Sequence, residues 1–146
     1  MRAVVTRVSS ASVTIGGRTA GKIGQGLLVL IGIAPTDTCV QAVLLADRVT
    51  GLRIFGDENG KMNRNLASAG GSLLVISQFT LYADLKSRRP GFTGAAKPDI
   101  AIPLYELFVE ECREAGFHTE TGEFGADMKV ASVNDGPVTL VIDTDN

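Results

Sequence analysis

Residues 27–31, Leu27-Leu28-Val29-Leu30-Ile31, are apolar at odd and even positions alike. A strand with one solvated face alternates, so a run without alternation predicts a central strand covered on both sides. Upstream, Ala3 to Val8 is rich in β-branched residues, Ser12 to Ile15 alternates, and Gly16-Gly17 is a two-residue hairpin signal. Arg18 to Ile23 is the expected return strand, and Gly24-Gln25-Gly26 turns the chain into the central run.

Downstream, Asp37 or Thr38 can cap a helix reaching about Thr50, with Val40, Val43, Leu44 and Asp47/Arg48 as its stripe and Gly51 at its end. Leu52 to Phe55 reads as a short strand, and Gly56 to Leu66 is polar and turn-rich. Ser72 to Phe79 reads as another apolar strand leading into Thr80 to Asp84, followed by a Gly/Pro/Arg-rich loop to Lys97. A second helix is expected from Pro98 or Asp99 to about Ala115, with Asp99 as cap, Pro103 in the first turn and Gly116 just past the end. Leu104, Leu107, Phe108 and Cys112 share one of its faces. Strands near His118 to Glu123, Met128 to Val133 and Val138 to Asp143 close the chain. The order β-β-β-α-β-β-α-β-β-β predicts an α+β fold: one domain, a mixed and mostly antiparallel sheet, and two main helices.

The chain has 146 residues, 45% hydrophobic and 21% charged, which suits a single domain able to bury a core without staples. The formal charge of −2 argues against gripping long nucleic acid by charge alone, but not against touching a nucleotide or two. Lys86-Ser87-Arg88-Arg89-Pro90 is the local exception, either a solvated loop or a contact for phosphate. Cys39 and Cys112 lack CxxC neighbours and read as two buried apolar thiols, with metal ligation or a disulfide as alternatives. His118 is the single histidine, so a multi-histidine metal site is excluded and a Ser-His-Asp triad has one candidate base. No metal or cofactor is expected. The opening residues lack the pattern of a signal peptide, and no apolar run reaches a membrane span, so a cytoplasmic protein is expected.

Two segments carry chemistry. Ser77-Gln78-Phe79-Thr80-Leu81-Tyr82-Ala83-Asp84 runs an apolar strand into hydroxyl, amide and carboxylate groups, each costly to bury unmatched. The plain alternative is a strand end whose hydroxyls bond local backbone. Asn134-Asp135-Gly136-Pro137 looks like a type I′ hairpin turn, yet Pro137 lacks the N–H that would close it. An irregular turn is the alternative, and either way a glycine and a proline present bare backbone.

SQFTLYAD at 77–84 and NDGPVT at 134–139 resemble the two signature motifs of the D-aminoacyl-tRNA deacylase family. MRAVVTRVSSASV at 1–13, LRIFGDENGKMN at 52–63 and GEFGADMKV at 122–130 extend the resemblance over the whole chain. KSRRPGF at 86–92 fits less closely, with glycine expected nearer position 87 and serine nearer 91. The resemblance implies a homodimer in which a cis Gly136-Pro137 bond enters the partner's pocket, floored by Ser77, Gln78, Phe79 and Thr80. It implies that backbone N–H groups around Phe79 and Thr80 hold the oxyanion while the terminal ribose 2′-hydroxyl assists a water. Phe124 and Met128 resemble the residues holding the terminal adenine, and Arg7 an arginine beside the Gly-Pro element. Asp84 and Asn134 read as supports. Core packing remains the plain reading of Phe124 and Met128, and an exposed strand position that of Arg7. The implied substrates are D-aminoacyl-tRNA and glycyl-tRNA mischarged on tRNA-Ala, with L-aminoacyl-tRNA rejected by the backbone gate. Two other readings are a non-catalytic module for the tRNA 3′ end and a Ser/Thr esterase. The esterase lacks both a GxSxG elbow and a second histidine.

Overall fold

The computed structural model describes residues 1–146, and its sheet is organised around one long strand, β1 (Arg2–Ile15). The remaining strands are β2 (Arg18–Ile23), β3 (Gly26–Gly32), β4 (Phe55–Gly56), β5 (Met62–Arg64), β6 (Ser72–Ser77), β7 (Thr119–Thr121) and β8 (Lys129–Asp143). The helices are α1 (Cys39–Gly51), α2 (Leu66–Ala69) and α3 (Pro98–Glu114), with a 3₁₀ turn at Phe79–Tyr82. One edge of β1 is lined by β8 along almost its whole length. The other edge carries β3 opposite residues 2–8 and β2 opposite residues 11–15. These pairings are antiparallel, whereas β3–β6 and β6–β7 are parallel. The sheet is therefore mixed, as expected. Parallel neighbours need a long crossover. The chain supplies α1 between β3 and β6, and α3 between β6 and β7.

The run at 27–31 is the central strand that its composition predicts. Leu27, Val29 and Ile31 point into the main core beneath α1 and α3 with Leu73, Val75, Leu45, Val49 and Phe108. Leu28 and Leu30 lie on the opposite face, against a second cluster of Val8, Ala11, Val13, Ile23, Leu74 and Ile76. Each fully buried Leu or Val of this kind contributes roughly 1.5–3 kcal/mol.

Several local expectations are corrected. Ala3 to Val8 and Ser12 to Ile15 belong to one strand, because Ser10 and Ala11 are paired to Val133 and Ser132. The pairing of β1 with β8 slips on either side of Val8, and the inward-facing parity of β1 changes there. The expected strand at Leu52 to Phe55 is reduced to Phe55–Gly56, and that at His118 to Glu123 to Thr119–Thr121. Ser72 to Phe79 ends as a strand at Ser77. The short α2, capped by the Asn65 side chain, lies in the stretch that reads as polar and turn-rich.

Thr38, not Asp37, caps α1 and forms a capping box with Gln41. The buried face of α1 is Ala42, Leu45, Ala46 and Val49, so the expected stripe of Val40, Val43 and Leu44 is wrong and stands exposed. In α3 the cap is Lys97, Pro98 opens the helix, and Pro103 sits beyond the first turn. Its buried face is Ala101, Tyr105, Phe108, Val109 and Cys112, with Leu104 and Leu107 half-buried at the flank. Cys112 is buried as expected, but Cys39, first residue of α1, is exposed.

The predicted hairpin at Asn134-Asp135-Gly136-Pro137 does not exist. β8 runs straight through this segment as one strand. Thr6 pairs with Thr139 and Val8 with Asn134, so residues 135–138 of β8 stand opposite Arg7 alone. The segment is a wide bulge on a paired strand. No helix is long and apolar enough to cross a membrane.

Candidate active site

β6 delivers Ser77 to the edge of a cleft of about 300 Å³. The Gln78 N–H donates to the Ile31 carbonyl at 2.7 Å, which ties the strand end to β3 before the chain tightens into the 3₁₀ turn. Gln78 places its side-chain amide on the Thr80 hydroxyl. Inside the turn, Leu81 N–H donates to the Gln78 carbonyl at 3.2 Å and Ala83 N–H to the Thr80 carbonyl at 3.0 Å. The N–H groups of Phe79 and Thr80, at the start of the turn, have no acceptor within the chain. First-turn donors are left over by helix geometry and are free to take an external oxygen.

The opposite wall is the segment between β7 and β8. Phe124, Asp127 and Met128 line the same cleft as Ser77, Gln78 and Phe79. Phe124 also leans on Tyr105 of α3 with ring centroids 6.3 Å apart. Tyr105 is fixed in turn by a 2.8 Å hydrogen bond from its hydroxyl to the Val75 carbonyl of β6. Gly122 underlies Met128, and a Cβ there would run into the Met128 sulfur. Phe92 sets its edge against the Phe79 ring at 5.0 Å and so borders the cleft from the loop beyond Asp84. Asp84 supports that loop by exchanging backbone hydrogen bonds with Gly91 at 2.7 and 2.9 Å. Sequence reasoning misses Gly122, Asp127 and Phe92. An isolated aromatic after a Gly/Pro-rich loop is the one signal that points to Phe92.

Arg7, Asn134, Gly136 and Pro137 gather elsewhere, at the β8 bulge. The Gly136–Pro137 peptide is cis, and Gly136 adopts φ +136°, a region open to glycine and strained for other residues. Arg7 is largely buried, so it is not the exposed strand residue that its sequence position allows. Its Nε donates to the Asp135 carbonyl at 3.0 Å and its Nη1 to the Ile54 carbonyl at 2.6 Å. The Asp135 carboxylate lies 3.6 Å from the same guanidinium. The Asn134 side-chain oxygen accepts from the Ser132 hydroxyl at 2.7 Å. None of these four residues lines the cleft of their own chain.

No base stands ready for Thr80. His118 precedes β7, and its Nε2 faces a Glu120 carboxylate at 3.6 Å. No three His, Cys, Asp or Glu side chains gather as a metal site. Just past Thr80, the Tyr82 hydroxyl is buried without a partner while the Arg2 guanidinium lies 4.4 Å over its ring. Burial, reinforced by the negative charges of Asp37 and Asp143, pushes its pKa up from 10.0 to about 12. The largest concavity, about 650 Å³ against α1, is lined by Val40, Val43 and Leu44 and holds none of the polar groups singled out above. A site for chemistry needs convergent polar groups, so the smaller cleft is the candidate.

Ser77, Gln78 and Phe79 and the Phe124–Met128 wall therefore meet in one cleft, which the adjoining Thr80 does not line. The model of the family described as D-Tyr-tRNA(Tyr) deacylase matches residues 4–143. The chain belongs to this family. A D-aminoacyl-tRNA deacylase of Serratia proteamaculans is 60% identical over 141 residues, covering 96% of this chain and 97% of that one. A D-aminoacyl-tRNA deacylase of Thermus aquaticus is 55% identical over 145 residues, covering 99% and 95%. Among solved structures, a c-Myc DNA unwinding element binding protein superposes with TM-score 0.93 at 38% identity, covering 99% of each chain. A probable eukaryotic D-amino acid tRNA deacylase superposes with TM-score 0.85 at 15% identity over 97% of each chain, a likeness of fold.

Proposed function

We propose that this chain, a D-aminoacyl-tRNA deacylase, hydrolyses the aminoacyl ester in the cleft between the end of β6 and the Phe124–Met128 wall. The single observation carrying this reading is that Phe79, whose N–H and that of the adjoining Thr80 are free, lines one small cleft with an aromatic ring and a thioether opposite. The terminal adenine fits against Phe124 and Met128, whose ring and polarizable sulfur suit a purine face. The ester carbonyl then lies against the Phe79 and Thr80 N–H groups, which stabilise the oxyanion as it forms. An aminoacyl ester is already activated, so a held water assisted by the neighbouring 2′-hydroxyl suffices.

Stereochemical selection comes from a second copy. Gly136 and Pro137 are exposed and line no part of their own cleft, while the outer edge of the fifteen-residue β8 is unpaired. Unpaired edges invite pairing, and Val133 and Val141 stand exposed along this one at 60% and 67%. In the resulting homodimer each bulge covers the partner's cleft. The α-amino group is held by main-chain carbonyls, and the handedness of Cα then decides whether the side chain points outward or into glycine and proline backbone. Steric exclusion of this kind can exceed the roughly 1–3 kcal/mol available from fitting a methylene. A glycyl ester has no side chain to exclude and is also cleaved.

The test is a deacylation time course with D-tyrosyl-, L-tyrosyl- and glycyl-tRNA, beside sedimentation of the wild type and of Val133→Asp. Loss of the D-tyrosyl and glycyl esters with survival of the L-tyrosyl ester is expected, from a dimer that the substitution splits and inactivates. Binding without ester loss would make the chain a 3′-end binding module instead. A fully active monomer would remove the second copy from the mechanism.

A further inference from the structure

The loop between the 3₁₀ turn and α3 carries a group of cations that nothing in the fold uses. The chain has nine arginines, and seven of them are engaged by carboxylates, carbonyls or a side-chain amide. Only Arg88 and Arg89 have guanidinium groups with neither a hydrogen bond nor an ion pair, and Lys86, two residues before Arg88, is also unpaired. All three are exposed. The surrounding chain is net negative, so this concentration is not part of a general basic surface.

The tip is held in place. Asp84 and Gly91 close its base with two backbone hydrogen bonds, Asp84 also accepts from the Lys86 N–H at 2.9 Å, and Ser87 donates to the Arg89 carbonyl at 2.7 Å. Asp84, the nearest carboxylate in the segment, thus directs its acceptors to backbone. Phe92 then pins the loop to the cleft wall through Phe79. Arg89 is three residues from Phe92, so its Cα lies within about 11 Å of Phe92 along the chain. An arginine side chain extends the reach further.

We infer that Lys86, Arg88 and Arg89 bind the backbone phosphates of the nucleotides just upstream of the esterified adenosine. The inference deepens the reading of the cleft as the ester site and rests on it. A polynucleotide whose last nucleoside sits against Phe124 and Met128 must lead its phosphates out past the cleft rim. The three free cations stand on a loop fixed to that rim. Guanidinium forks suit phosphate oxygens, and such binding supplies affinity independent of base sequence. Each cation displaces counterions from the strand, so binding through them weakens as salt rises.

The test replaces all three residues with glutamine and compares two D-tyrosyl esters: the full tRNA, and adenosine alone, which has no upstream phosphate. With tRNA, KM should rise at least tenfold while kcat changes little. The slope of log(kcat/KM) against log salt should flatten by about 0.7 for each phosphate that is no longer neutralised. With the adenosine ester, kcat/KM should stay within twofold. The charge-keeping variant Lys86→Arg/Arg88→Lys/Arg89→Lys should retain most of the affinity and salt slope. Unchanged KM and salt slope on tRNA would overturn the proposal. So would a loss shared equally by both esters, which would make the loop a prop for Phe79 and leave the cleft as the ester site. A wild type inert toward both esters would remove the reading of the cleft, and this proposal with it.

Discussion

The Arg7 Nε donates to the carbonyl oxygen of Asp135 at 3.0 Å, so a single side chain of β1 spans the bulge that four residues of β8 form opposite it. The same guanidinium also holds the Ile54 carbonyl at 2.6 Å, joining β8 to the segment after α1. Arg7→Ala releases the exposed Asp135 carbonyl to water but leaves the carbonyl of buried Ile54 unmatched, which costs about 1–3 kcal/mol. Arg7→Lys carries the charge but lacks the fork. Urea unfolding should show a lower midpoint for both, more so for alanine. If the bulge is the stereochemical filter, the ratio of kcat/KM for D- over L-tyrosyl-tRNA should also fall, on the order of tenfold for each 1.4 kcal/mol of lost discrimination. An unchanged ratio in a destabilised Arg7→Ala enzyme would separate the bulge from selection.

Thr80 has a hydrogen-bonded hydroxyl and no histidine paired with it, since the single histidine, His118 just before β7, faces Glu120. Without a base, its hydroxyl is a poor nucleophile. Thr80→Ala should therefore retain activity within about tenfold, whereas loss of a true nucleophile costs several orders of magnitude. Replacing the terminal 2′-hydroxyl of the substrate with hydrogen should slow single-turnover hydrolysis by roughly 10²-fold or more, as expected when a proton relay is removed. An acyl-enzyme trapped on Thr80 during the reaction would reverse this assignment.

The contrast between the central strand and the bulge explains what the sequence discloses. Leu27 to Ile31 is legible because burial on two faces needs apolar residues at both parities, and both cores follow from it. The extent of α1 is legible too, but its phase is not. Val40, Val43 and Leu44 outrank Ala42 and Ala46 in hydrophobicity, yet the face turned to the core is Ala42, Leu45, Ala46 and Val49. Asp-Gly-Pro looks the same locally in a turn and in a bulge. What decides is the partner strand β1, some 130 residues earlier in the chain. The Ser77–Thr80 and Phe124–Met128 segments are legible as motifs, while Gly122 and Phe92 matter through neighbours that only the fold brings together. The proposed relation of the bulge to a partner's cleft would involve a second chain, which no local pattern encodes.

Gly122 is expected to set the depth of the Phe124–Met128 wall, the proposed seat of the adenine. A Cβ there meets the Met128 sulfur, with Ile76 and Val13 behind it, so Gly122→Ala must displace the Met128 side chain in the cleft wall. Overpacking of this kind costs about 1–3 kcal/mol. KM for D-tyrosyl-tRNA should rise about tenfold while kcat changes little, because the proposed oxyanion donors at Phe79 and Thr80 are untouched. The double variant Gly122→Ala/Met128→Ala should regain thermal stability without regaining KM. Recovery of both would mean that Met128 contributes only bulk.

Alkaline instability is the last expectation, and its sign follows from burial. Burial pushes the Cys112 thiol up from 9.0 to about 12, Tyr82 up from 10.0 to about 12, and Tyr105 up further still. Each group stays protonated in the fold at a pH where the unfolded chain has released its proton. Stability from these groups is therefore complete below about pH 9 and declines as pH rises toward 12. Urea midpoints measured at intervals from pH 8 to 11 should begin to fall near 9, where Cys112 alone contributes, and fall more steeply above 10 when the tyrosines join. Cys112→Ala creates a small cavity and lowers every midpoint, so the informative quantity is the slope. Between pH 9 and 10 the variant should be nearly flat while the wild type declines. A wild-type curve flat to pH 11 would mean that these groups ionise as readily in the fold as outside it, contrary to their burial beneath the sheet.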